Sequence, residues 1–187
     1  GKTELIRRTH ETLGGRLAMR AVYCQHNSLF DVERLQAAGI PAVMSNENFR
    51  APVELPPDGR EELVFYEFSG RTGYSLPKQN DGTFRIFVFS VTEGDEKPLK
   101  YPRLFKEVEL VILNKIDLLP FTDFSVHRFQ QQLRTVNPTV PLIKISCRSG
   151  VGLESWRNWV LKLYGYHYVE ESGLLPRLNN FPGLSSY

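Results

Sequence analysis

Leu110-Val111-Ile112-Leu113-Asn114-Lys115-Ile116-Asp117-Leu118-Leu119-Pro120 is the stretch that decides the fold. A short apolar run bounded by polar residues reads as a strand buried on both faces, and it delivers an Asn-Lys-x-Asp tetrad to the point where that strand ends. An ionised carboxylate only accepts hydrogen bonds. Guanine offers two adjacent donors, its ring N1–H and its exocyclic amine, to one carboxylate fork, and adenine lacks that pair. Asp117 is therefore the expected base-reading residue. Asn114 braces the loop and offers its amide to the base, while the Lys115 stem covers the base plane. The bland alternative is a strand followed by an ordinary polar loop, because a four-residue match recurs by chance.

A second feature stands at the start of the chain. Gly1-Lys2-Thr3 followed by Glu4-Leu5-Ile6-Arg7-Arg8-Thr9 reads as the end of a Walker A loop running into a helix, with Leu5 and Ile6 as first core contacts. In a complete loop Lys2 reaches the outer phosphates and the Thr3 hydroxyl holds Mg²⁺. A phosphate cradle also needs a glycine-rich turn and an apolar strand ahead of it. Neither precedes Gly1 and the chain does not begin with Met, so an upstream segment of the natural protein is expected. A phosphate-binding start and a guanine-selecting tetrad, in that order, carry far more together than either does alone.

Composition permits this reading and excludes others. In 187 residues, 41% of them hydrophobic, one domain with a sizeable core is the natural prior. A net charge of +2 without a basic block argues against a nucleic-acid partner. Two cysteines make no disulfide framework, and no apolar run approaches membrane length. No membrane partner and a cytoplasmic, reducing location are the expectations.

Strand-like and helix-like segments alternate, which predicts an α/β fold with a mostly parallel sheet and helices on both faces. Strands are expected at Leu17 to Cys24, Ala42 to Ser45, Leu63 to Phe68, Phe84 to Val91, Leu110 to Leu113 and Leu142 to Ser146. Helices are expected at Lys2 to Leu13, Asp31 to Ala38, Asp123 to Val136 and Leu153 to Tyr164. Asp123 reads as an N-cap and Gly39 as a helix stop. Phe124, His127, Phe129 and Leu133 form no single stripe. Trp156, Trp159, Val160 and Leu163 do fall at helical spacing and read as core anchors.

In open parallel sheets, ligands gather at the carboxyl ends of the strands, and the polar candidates lie there. Glu67 and Gly70 follow one strand, Thr92 to Lys97 another, Asn114 to Asp117 a third. Ser146, Cys147 and Arg148 follow the last and are expected to close over the guanine through backbone N–H groups. That role needs small side chains, so Cys147 is read as a stand-in for alanine rather than a nucleophile.

The run Ser90-Val91-Thr92-Glu93-Gly94-Asp95-Glu96-Lys97-Pro98-Leu99-Lys100-Tyr101-Pro102, taken with Asn114-Lys115-Ile116-Asp117-Leu118-Leu119-Pro120, resembles the HypB-type nickel-incorporation GTPases of nickel–iron hydrogenase maturation. Similarity extends over Gly1 to Thr9, Asp31 to Val43, Glu67 to Gly70 and Asn137 to Trp159. The resemblance implies a P-loop NTPase fold that binds GTP or GDP with Mg²⁺, hydrolyses GTP, forms a homodimer and serves a protein partner, the maturation machinery or the hydrogenase precursor. It also implies that Glu67 acts through a water on Mg²⁺ and that the Gly70 N–H senses the outer phosphate, beside Lys2 in the catalytic group. Gly1, Lys2, Thr3, Asn114, Lys115, Asp117, Ser146, Cys147 and Arg148 would form the nucleotide site. A strand-end carboxylate and a turn glycine are the plain alternative for Glu67 and Gly70.

The chain also departs from that family. An acidic Glu-Gly-Asp is replaced by Tyr23-Cys24-Gln25, and a segment with adjacent Cys and His ligands by Ser45-Asn46-Glu47-Asn48-Phe49-Arg50. A third ligand cysteine is Ser75 or thereabouts. Nickel or zinc wants thiolate or imidazole ligands, so the matching positions of this chain do not rebuild the family metal site; Cys24 with His26 supply half a site, which two chains could pair, and packed or solvated histidines with no metal are the plain alternative. Three function classes follow. One is a GTP-hydrolysing maturation factor, another a nucleotide-binding switch or scaffold that has lost metal transfer and efficient hydrolysis, and the third a structural complex subunit. Residues 1–168 are expected to form the GTPase-like domain and 169–187 an extended tail.

Overall fold

The computed structural model describes residues 1–13, 15–24, 29–45, 62–68 and 83–163, which belong to two compact units, residues 1–78 and 79–187. The first unit contains α1 (Lys2–Leu13), β1 (Ala18–Cys24), α2 (Leu29–Ala37), β2 (Ala42–Ser45) and β3 (Glu62–Phe68). Its strands pair in parallel in the order β2-β1-β3, with Ala21 opposite Ala42 on one side and Phe65 on the other. As the middle strand, β1 buries Ala21, Val22, Tyr23 and Cys24 in succession, which alternation across one wet face would not allow. α1 buries Leu5, Ile6, Thr9 and Leu13 along one stripe. On its outer side Glu4 accepts from Arg7 and, at 2.7 Å, from Arg34 Nη2 of α2. Gly39 ends α2 as expected: its φ of 77° is left-handed, and the N–H groups of Gly39 and Ile40 return to the carbonyls of Gln36 and Leu35.

The second unit runs β4 (Ile86–Ser90), α3 (Lys97–Lys100), α4 (Pro102–Lys106), β5 (Leu110–Asn114), α5 (Val126–Val136), β6 (Leu142–Lys144) and α6 (Leu153–Leu163), with 3-10 turns at Val91–Glu93 and Ile116–Phe121. Its sheet is again parallel, β4-β5-β6, and all five residues of β5 are buried. Val111 and Leu113 join Phe89, Phe105, Phe129 and Leu133 in one apolar cluster. The Phe89 and Phe129 rings stack at 5.3 Å, and Phe87 meets Phe105 edge-on at 4.8 Å. In α6, Trp156 and Val160 are fully buried, while the half-buried Trp159 stacks on Trp156 at 5.6 Å.

Three details differ from the sequence reading. The strands expected to run to Val91 and Ser146 stop at Ser90 and Lys144. At the first stop, the Ser90 side chain accepts from Thr92 N and the Ser90 N–H donates to Glu93, a capping box that starts a turn. The short helices α3 and α4 were not foreseen, although each carries proline in its first turn, where the missing N–H costs nothing. The N-cap of α5 is Ser125 rather than Asp123, because the Ser125 hydroxyl accepts from Arg128 N at 3.2 Å while Asp123 is exposed. Phe124 therefore lies ahead of the helix and His127 faces out, so only Phe129 and Leu133 of the four residues share its buried face.

Asp95 fixes where that helix starts. Its carboxylate is 4% exposed and accepts from Ser125 N at 2.8 Å, Arg128 Nε at 2.9 Å and Arg128 Nη2 at 2.8 Å. Burial by itself raises a carboxyl pKa, but the Arg128 fork and the Ser125 N–H outweigh it and hold Asp95 below the ordinary carboxylate range. A carboxyl held below its unfolded value, about 4, stabilises the fold above that pH and loses the contribution as pH falls through the native value. Asp95→Asn is expected to lower the melting temperature by a few degrees at neutral pH. The gap to the parent should then narrow on acidification below a pH of about 4. Thermal melts across pH check this, and a gap that stays constant into strong acid contradicts it.

Candidate functional site

The tetrad at the end of β5 is held by its own loop and by the segment after β6. Asn114 is 2% exposed, and its Oδ1 accepts from Lys115 N at 2.7 Å and from Cys147 N at 3.2 Å. Both lone pairs of that oxygen are thus committed to the backbone, leaving the amide nitrogen as the group Asn114 can offer to a base. Lys115, at φ 61° and ψ 36°, is the one non-glycine residue in the left-handed region among the described residues. Such strain in a non-glycine residue costs on the order of 1 kcal/mol and concentrates at ligand sites.

Asp117 is half-buried, and its Oδ1 accepts from Ser146 Oγ at 2.6 Å. Ser146 is wholly buried and its oxygen in turn accepts from Ser149 N at 3.1 Å, so the carboxylate is aimed by a hydroxyl that is itself held. The loop closes on itself through Gly150 N to Ser146 O and Ser146 N to Val151 O, each 2.9 Å. Gly152, at φ 77°, lies against the end of β6, where a Cβ would overlap the Lys144 carbonyl oxygen. Only glycine fits there. Cys147 is buried and contributes its N–H to the brace, and Arg148 is exposed beyond it.

The phosphate candidates lie in the other unit, at the start of α1. Leu5 N returns to Gly1 O at 3.1 Å, so Gly1 already feeds the helix and Lys2 and Thr3 occupy its first turn. Lys2 Nζ lies 3.1 Å from Glu67 Oε1 at the end of β3. Burial pushes the Glu67 carboxyl up, and Lys2 opposes that rise. Thr3 is buried, and β1 places Tyr23 directly opposite Glu67. The phenol of Tyr23 is pushed up to about 12, chiefly by burial, and the neighbouring Cys24 thiol up to about 11 by burial and the Glu67 charge. A thiol so placed is protonated at neutral pH, whereas a metal ligand must be thiolate.

Sequence reasoning placed Lys2, Thr3 and Glu67 in one site; the structure pairs Lys2 with Glu67 and puts Thr3 next to Lys2 in the first turn of α1. It overlooked Tyr23 as a polar group, the use of Ser146 to aim Asp117, and the Asp95 clamp. Gln25, His26, Asn46 to Arg50, Gly70, Ser75 and the 169–187 tail lie outside the described residues. Among the described residues no group of three or more His, Cys, Asp or Glu side chains is placed to hold a metal ion. No helix among them is long and apolar enough to cross a membrane.

No family model matches the chain. It is 34% identical over 177 residues to the hydrogenase maturation factor HypB of Azotobacter chroococcum mcd 1, covering 88% of this chain and 57% of that one. It is 33% identical over 170 residues to HypB of Escherichia coli K12, covering 86% and 58%. The chain thus spans somewhat over half the length of the curated relatives it matches. Its fold is similar to that of HypB from Archaeoglobus fulgidus, with a TM-score of 0.71 at 23% identity over 87% of this chain and 84% of that one. It is also similar to HypB from Helicobacter pylori, solved in complex with nickel, with a TM-score of 0.69 at 19% identity over 92% and 86%. The chain therefore carries a HypB-type sequence, similar to the hydrogenase maturation factors over most of its own length, on a P-loop NTPase fold.

Proposed function

We propose that this protein binds and hydrolyses GTP as an accessory factor in the maturation of a nickel enzyme, in particular a nickel–iron hydrogenase. The observation that carries the reading is the aiming of Asp117: Asn114 holds the loop, Ser146 holds the carboxylate, and the fork suits the paired donors of guanine. Lys2 would serve the outer phosphates. Thr3 and Glu67 are hard oxygen donors that suit Mg²⁺, directly and through water, and the cation would supply charge neutralisation at the phosphates. The names of the relatives supply hydrogenase maturation, and the proposal adds to it a protein partner in that machinery, a homodimer and a cytoplasmic place of action. A shift in elution volume with GTP and not with ATP, together with phosphate release from GTP, is the test. Neither effect in the complete protein would sink the proposal.

A second reading, a nucleotide switch or scaffold without metal transfer, is favoured by Cys24. Its buried, proton-holding thiol is a poor partner for nickel or zinc. We expect nickel or zinc to bind weakly or not at all to one monomer, and any residual binding to vanish with Cys24→Ser and to need two chains for tetrahedral coordination. Calorimetry at neutral pH under reducing conditions reads this directly. One tight site per monomer, indifferent to Cys24→Ser, contradicts it.

A further inference from the structure

Lys2 carries two assignments that pull against each other. Its ammonium lies 3.1 Å from Glu67 Oε1, and the lysine side chain is 37% exposed against 9% for the glutamate. The same ammonium is the group that would meet the outer phosphates of a nucleotide. A phosphate and a buried carboxylate therefore compete for one cation, and drawing the cation off a buried carboxylate is costly.

The charges around the pair sharpen that competition. Asp31, in the first turn of α2, also acts on Glu67, so one lysine faces two carboxylates. The nearest arginine of α2 does not restore the balance, because Arg34 donates to Glu4 at 2.7 Å. A phosphate entering this corner meets excess negative charge unless a divalent cation comes with it, and Glu67 is a hard oxygen donor suited to one.

We propose that the Lys2–Glu67 contact is autoinhibitory: Glu67 competes with nucleotide phosphates for the Lys2 ammonium and gives it up where Mg²⁺ supplies its counter-charge. Only ionic contacts and hydrogen bonds are exchanged. The inference rests on the nucleotide reading given above and adds to it a reason for nucleotide and Mg²⁺ to bind together.

Glu67→Gln in the complete protein tests this through binding rather than turnover. With Mg²⁺ removed by a chelator, affinity for GDP should rise by about tenfold, the scale of one charge-assisted hydrogen bond, and the improvement that Mg²⁺ confers should shrink at least as much. Loss of a carboxylate also removes plain repulsion of the phosphates, so the substitution is repeated on Lys2→Ala. Repulsion persists in that background and competition for Lys2 does not, so the gain there should be much smaller. An equal gain in both backgrounds overturns the proposal. So does an unchanged or weaker Mg²⁺-free affinity in Glu67→Gln, which would mean that the three donors of Lys2 serve both partners at once. Melting curves establish that each variant is folded, and Glu67→Asp, which draws the carboxylate back from Lys2, should move the Mg²⁺-free affinity in the same direction. The parent is titrated alongside with Mg²⁺. If it binds no GDP, the nucleotide reading itself fails and the proposal falls with it, whereas binding by the parent without the gain in Glu67→Gln overturns the proposal alone.

Discussion

Asp117→Asn should abolish the preference for guanine. The substitution turns one acceptor of the fork into an amide donor that faces a guanine donor, and it weakens the acceptor that Ser146 Oγ now reaches at 2.6 Å. Leaving buried polar groups mismatched costs about 2–4 kcal/mol here, or a loss of roughly thirtyfold to a thousandfold in affinity for GTP or GDP. Xanthine presents an acceptor where guanine presents its amine, so xanthine nucleotides should gain on the variant. Competition titrations with guanine, xanthine and adenine nucleotides on parent and variant check both halves. A variant that keeps the parent's ranking contradicts the role given to Asp117.

Lys2→Ala should remove triphosphate affinity by one to two orders of magnitude, the scale of a lost charge-assisted contact of about 1.5–3 kcal/mol. The Lys2–Glu67 pair adds a second consequence. With Lys2 gone, a buried carboxylate loses the cation that opposes its rise in pKa, so the ligand-free protein should also melt lower. The two effects separate in the double variant Lys2→Ala with Glu67→Gln, which replaces the buried carboxylate by a neutral amide. Melting temperature should recover there, and affinity for GTP should not. If affinity returns with stability, Lys2 is structural and does not serve the phosphates.

What could be read from the sequence was local. The apolar run Leu110 to Leu113 announced a buried strand, because strand burial acts over a few adjacent residues, and the tetrad behind it placed a carboxylate loop at the strand's end. Gly39 likewise announced a helix stop, and the structure has one. The interactions that aim the site are of long range. Ser146 reaches Asp117 across 29 positions, and Asp95 reaches Ser125 across 30, so no spacing rule reveals either. For the start of α5, Asp123 and Ser125 are both good capping types. The choice between them is made by Asp95, which holds the Ser125 N–H. Tyr23 gave no signal at all, since a tyrosine within an apolar strand reads as core, and only the strand pairing shows that it stands opposite Glu67. Gly150 and Gly152 did carry a usable cue, because two glycines after the last strand suggest a close backbone approach.

Equilibrium binding of GTP and ATP to the complete, unmodified protein in the presence of Mg²⁺ tests the central claim most directly. The fork at Asp117 predicts GTP binding tighter by at least about a hundredfold, since adenine leaves the carboxylate without its paired donors. Equal affinity for the two nucleotides would contradict the account.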